Sequence, residues 1–164
     1  MNYLIKFLAL FLFAATSVGA DEIKIGYIDG VKLIEKAPQG DAAKAALEAE
    51  FKPREQIIIE LRTKIRDAEE SLDSKAEDLS KKQRQLRDQR RDLKRMQQEM
   101  REDLNLRRNE ELAKLQKLIS SAIIKMAKEE NFDLIIQDAV YASMSIDITD
   151  AVLDKLNAAF EADK

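Results

Sequence analysis

The chain has 164 residues, a formal charge of −3, and neither Cys nor His. Without them it cannot build the common Cys/His zinc sites or activate a nucleophile through a Ser-His or Cys-His pair. Carboxylate chemistry is left, but no pair of acids stands out from the abundant surface charge, so the chain does not read as an enzyme. No catalytic residue, metal or cofactor is expected.

The opening "MNYLIKFLALFLFAATSVGA" has one charge, Lys6, then the apolar run Phe7 to Ala15 and a stretch of small residues. Val18 and Ala20 occupy the two positions that a signal peptidase reads. This is the layout of a cleaved secretory signal over residues 1–20, with the cut between Ala20 and Asp21. The apolar run is shorter than the ~20 residues a spanning helix needs. Losing Lys6 moves the formal charge from −3 to −4, and the mature chain is expected to be soluble and exported.

An apolar opening, "EIKIGYIDGVKLIEKAPQG", runs to Gly40. In it Ile23, Ile25 and Tyr27 alternate with Lys24 and Gly26, the pattern of a half-buried strand. A charged middle follows from about Asp41 to Glu130. Every Gly and Pro lies at or before Pro53, and the middle is rich in strong helix formers. Ile58, Ile65, Leu72, Leu79, Leu86, Leu93 and Met100 recur every seventh residue, the spacing of a helix that pairs along a seam. The seam is thin: of the companion positions Ala68, Lys75, Lys82, Gln89, Met96 and Asp103, only Ala68 and Met96 are apolar. So little buried area predicts helices of low local stability that can splay.

The heptad would allow one rod, but about 90 residues at ~1.5 Å each would hold the apolar ends roughly 130 Å apart. Neither end is large enough to form a core alone. A fold-back near Asp78–Lys82, where "SKKQ" at Ser80–Gln83 fits a capping box, brings them together. Two antiparallel helices of about 40–45 residues are then expected, each some 60–65 Å long. Beyond Glu130, "DLIIQDAVYA" reads as a strand and "SMSIDIT" as a third. "DITDAVLDKLNAAF" reads as an amphipathic helix capped by Thr149 or Asp150, with Val152, Leu153, Leu156 and Phe160 inward. The fold class is α+β, mostly α: a long antiparallel helical hairpin over 41–130, tip near 78–82, projecting from a discontinuous β-rich body of 21–40 and 131–164. So slight a body needs copies of itself to complete a core, which predicts an oligomer.

The sequence "KIGYIDGVKLI", the charged hairpin, "RRNEELAKL" and the closing "FDLIIQDAVYASMSIDITDAVLDKL" together resemble the Skp (OmpH-like) family of periplasmic chaperones. The likeness covers the whole mature chain and is most specific in the closing block. It implies a homotrimer with a small β body and three helical arms, whose cavity holds unfolded outer-membrane proteins without ATP. By matching segments, the body strands would be Ile23–Asp29 and Asp133–Ala142. Ile25, Tyr27, Leu134, Ile136 and Val140 would then be contacts between subunits.

The best-known members are strongly basic overall, and this chain is acidic. Its charge is unevenly placed. Nine acids and two lysines lie from Glu129 to Lys164, whereas Lys81, Lys82, Arg84, Arg87, Arg90, Arg91, Lys94 and Arg95 face only Asp88 and Asp92 in their stretch, a net +6. One reading is a solvated helix face, paired with acids of the opposite limb between Arg66 and Asp78. The other is contact with anionic clients, or with an anionic lipid or lipopolysaccharide surface, at the arm tips, where clustered charge speeds encounter. Nucleic acid is not expected, since aromatic stacking residues and base-reading motifs are lacking.

The functional expectation is a holdase that sequesters unfolded outer-membrane proteins by many weak contacts. Ile57, Ile59, Leu61, Met96, Leu104 and Leu106 are its candidate apolar grips. The alternative is an exported coiled-coil adaptor of the cell envelope. A spacer of that kind would pack its seam more fully and bind one folded partner.

Overall fold

The computed structural model describes residues 22–72 and 78–162; the expected signal segment, with Ala20 and Asp21, lies outside them. In chain order the elements are β1 (Ile25–Ile28), α1 (Gly30–Lys36), α2 (Pro38–Glu70), α3 (Leu79–Glu129), β2 (Leu134–Gln137) and α4 (Thr149–Ala162). β1 and β2 are parallel, with Ile25 opposite Leu134 and Tyr27 opposite Ile136. A parallel pair requires a crossover connection, and the crossover here is the whole of α1, α2 and α3.

The long helices run antiparallel. Glu50 pairs with Arg107, Arg54 with Asp103, and Glu69 with Arg90, so residue numbers fall on α3 as they rise on α2. Ile58 and Ile65 of α2 and Leu86 of α3 are buried, and Leu72, Leu79, Leu93 and Met100 are half-buried, which makes the heptad residues the seam. The helices are unequal, contrary to the expected 40–45 residues each: α2 has 33 and α3 has 51. At ~1.5 Å per residue that is about 50 Å against about 77 Å. The difference arises because the last turns of α3 leave the seam and become body. Leu115, Ile119 and Met126 join Ile28, Leu33, Ala37, Val152 and Leu156 in one core.

Five further expectations are corrected. The break between the long helices falls between Glu70 and Leu79, so Ser80 lies inside α3 and forms no capping box. Asp78 is the N-cap residue, with no side-chain cap bond. α2 begins at Pro38 rather than Asp41, because a proline at the first turn needs no partner for its missing N–H. A short helix, α1, occupies Gly30–Lys36, with Asp29 accepting from the Lys32 amide at 2.9 Å. "SMSIDIT" forms no strand; it contributes one bridge, Asp147 with Tyr27. The second strand stops at Gln137 because Asp138 takes a left-handed backbone, φ 59°. With two four-residue strands and a core mostly contributed by helices, the body is less β-rich than the sequence pattern implied.

Gly26 and Ile28 point to the core, while Ile23 and Ile25 are exposed and Tyr27 is half-buried. A side chain at Gly26 would meet Ile148 at 2.7 Å and Phe132 at 3.1 Å, so only glycine lets both apolar groups close over the strand. Polar clips hold the start of α4 on this strand. The Asp29 amide donates to Thr149 Oγ1 at 2.9 Å, and the Thr149 amide donates to Asp147 at 2.9 Å. Hydrogen bonding to Asp147 from the Thr149 hydroxyl first and its amide second holds the Asp147 carboxyl below its usual value. On the other side, Lys155 bridges Glu129 at 2.8 Å and Glu130 at 3.6 Å, tying α4 to the end of α3. Lys24 donates to the Glu130 carbonyl at 2.7 Å, and its ammonium lies 3.9 Å from the Phe132 ring centre.

Candidate functional site

Two surfaces carry the residues singled out from the sequence. The first is the outer face of the small sheet. Parallel register makes cross-strand partners point the same way, so Ile25 with Leu134 and Tyr27 with Ile136 share one face. Ile25, Leu134 and Ile136 are exposed. Val140 lies beyond Asp138, in the connection to α4, rather than in the strand. It is fully exposed there, as Tyr141 and Met144 very nearly are. Exposed apolar groups so concentrated on a small body mark an interaction surface. Tyr141 and Met144 were missed among the candidate contacts, because "AVYASMSI" carries an alternation that fits a strand as well as a loop.

The second surface is the arm. Ile57 and Ile59 are exposed on either side of the buried Ile58, so they lie on opposite faces of the two-helix ribbon and cannot grip one partner from one side. Leu106 is exposed, while Leu61, Met96 and Leu104 are half-buried against the seam. At the arm's base an open groove of about 780 Å³ has an apolar floor that includes Ile34, Leu47, Phe51, Leu104 and Leu112, with a charged rim. The heptad gave no sign of it, because Ile34 belongs to the unforeseen α1.

All eight basic residues of the 81–95 stretch are exposed. Among the described residues only Arg90 reaches across the hairpin, to Glu69 at 2.7 Å. Other partners are close in sequence: the N-cap residue Asp78 for Lys82 at 3.2 Å, and on α3 itself Asp88 for Arg91, and Asp92 and Glu99 for Arg95 at 3.5 and 3.6 Å. Across the seam, Asp67 and Glu70 turn to Arg66 at 3.0 and 4.0 Å instead of to α3. The expected cross-limb neutralisation is thus largely unrealised here, and the acids Asp73 and Glu77 lie outside the described residues. Arg84, Arg87, Arg90 and Arg91 border a shallow concavity of about 460 Å³ with Asp88. Exposed pairs of this kind contribute roughly 0–1 kcal/mol each, so the stretch keeps a strong positive field.

No group of acidic side chains among the described residues is arranged to hold a metal ion, and no helix among them is long and apolar enough to cross a membrane. The family model for outer membrane protein (OmpH-like) matches residues 24–156. A crystal structure from Caulobacter crescentus, of a protein provisionally assigned as an OmpH-like outer membrane chaperone, superposes with a TM-score of 0.74. It is 18% identical, and the match covers 86% of this chain and 88% of that one. At that identity the likeness speaks for the fold. No curated protein matches the chain by sequence at a significant level.

Proposed function

Because the chain belongs to the OmpH-like family, we propose that it is an ATP-independent holdase of the periplasm. It would keep unfolded outer-membrane proteins soluble between helical arms. Residues 1–20 would direct export, and residues 21–40 with 131–164 would form the body that joins copies into a homotrimer. Residues 41–130 would form the arm. The family and the Caulobacter neighbour support a chaperone, not an enzyme. The holdase step itself is our reading.

One observation carries it: a helical pair longer than the core it springs from, closed by a seam with only one or two buried or half-buried apolar residues per heptad on each helix. A spacer or adaptor that holds envelope components at a fixed distance would need a fuller seam. A flexible cage does not, since many weak contacts acting together retain a client without a shaped pocket. Self-association would use Ile25, Tyr27, Leu134, Ile136 and Val140. The basic residues Lys81 to Arg95 would speed capture of anionic clients or bring the tips to an anionic lipid or lipopolysaccharide surface.

The test is to dilute a urea-unfolded β-barrel protein into buffer with and without the purified chain. Suppressed light scattering at one trimer per client is expected. Aggregation that proceeds unchanged at that ratio would falsify the holdase reading, and in-cell crosslinking to one folded partner would favour the adaptor instead.

A further inference from the structure

The arm hides its apolar side chains unevenly along its length. Near the body Ile57, Ile59 and Leu106 are exposed, and the groove beside Phe51 stands open. Farther out, over the described residues 60–72 and 78–105, no large apolar side chain is exposed. Ile65 and Leu86 are buried there, and Leu61, Leu72, Leu79, Leu93 and Met96 are half-buried. While the seam stays closed, a partner touching this outer half meets mostly charge and amide groups, with only the edges of half-buried apolar side chains.

The helix ends at the tip are charged against their own dipoles. A helix N-terminus carries partial positive charge and favours acids, and a C-terminus favours bases. α3 begins with no acid in its first turn, and Lys81 and Lys82 follow at once. α2 ends with no base in its last turn, which holds Asp67, Glu69 and Glu70. Nor does the Asp78 side chain cap α3. Both long helices are therefore weakened at the same end of the arm.

Anchoring shows the same gradient. Near the body two ion pairs cross the hairpin, Glu50–Arg107 and Arg54–Asp103, and Arg54 also lies over the ring of buried Phe51. Farther out, Glu69–Arg90 is the one crossing pair among the described residues. We propose that the outer half of the arm opens as a separate unit while the base stays paired. The seam it uncovers, centred on Ile65, Leu86 and Leu93, would be the surface that apolar client segments bind. That second step rests on the holdase reading; the opening does not.

Amide hydrogen exchange on the intact mature protein tests the opening. Amides of 60–70 and 80–97 should exchange at least about tenfold faster than those of 45–56 and 104–118, as expected for a separately opening unit. The double variant Lys81→Glu with Glu70→Lys gives both helix ends the favoured sign. It should slow the outer amides about threefold or more, with the base amides as an internal control of folding. Outer amides as slow as the base, or unmoved by the variant, would overturn the proposal. For the client step, Cys residues replace Ala68 and Gln89, which flank the seam on opposite helices, and are joined by a short bifunctional maleimide. The chain has no other Cys. Joining should at least halve suppression of client aggregation relative to the unjoined variant. Equal suppression by both forms rejects the seam as the grip, whereas none by parent or variant rejects the holdase reading and leaves the exchange result standing.

Discussion

Body and arm are made from similar apolar side chains and differ in how many sides each is covered from. Met126 at the body end of α3 is fully buried, enclosed with Leu33 of α1 and Val152 and Leu156 of α4. Leu86 on the same helix has only α2 to cover it and is still buried, yet its heptad neighbours Leu79 and Leu93 are only half-covered. A two-helix ribbon encloses fewer of its apolar side chains than the body core does, so equal sequence hydrophobicity should give unequal stability along one helix.

Four measurements would break or sharpen that contrast, beginning with the largest effect. Replacing both Ile25 and Ile136 by Asp should abolish the proposed self-association, since it puts charge into the exposed apolar face of the sheet. Sedimentation at micromolar concentration should give a monomer with parental helix content; an unchanged oligomer would mean that subunits meet elsewhere. Next, Met126→Ala should lower global stability by about 3–5 kcal/mol, because the cavity lies in a core with little room to relax. Denaturant unfolding checks it. Ile65→Ala should cost about 2 kcal/mol or less, because solvent can fill the site. Its loss should be confined to faster exchange of arm amides. Equal global losses for the two variants would erase the distinction.

The smallest effect is the response to acid. Hydrogen bonding from Lys155, with its charge and that of Lys125, holds the Glu129 carboxyl below the ordinary glutamate value of 4.5. A carboxylate whose folded value is depressed adds stability above its unfolded value, and that stability is lost as pH falls through the folded one. The Lys155 ammonium is shifted upward, chiefly by its hydrogen bond to Glu129, so its contribution is kept below 10.5 and lost only above that, as pH rises through the raised value. Melting temperature should therefore decline below about pH 4.5. Lys155→Met should make that decline shallower while leaving arm exchange untouched. A slope the same in both proteins would show that acid acts elsewhere.

The seam was the most legible feature. Ile58, Ile65, Leu86 and Leu93 repeat at sevens, and all four are buried or half-buried between α2 and α3. The α4 core face, Val152 and Leu156, was equally plain. The alternation in β1 does not show that Gly26 faces the core, because glycine has no hydrophobicity to register; the packing of Ile148 and Phe132 selects that side. α1 is hard to read because the seven residues of "GVKLIEK" span only about two turns, too few to establish a repeat, and its strongest signal, the Asp29 cap, depends on one hydrogen bond. Of the candidate contacts, four share a sheet face as register requires, while Val140 is set apart by the left-handed turn at Asp138.

Periodicity determined which residues would lie along the seam, because that property is local and repeats, and the two small apolar ends argued for the fold-back. Where α3 stops serving the arm and starts serving the body was decided only by the tertiary structure. Leu115 and Leu86 look alike in sequence and are equally buried, and what separates them is what covers each: the body core for Leu115, the facing long helix for Leu86.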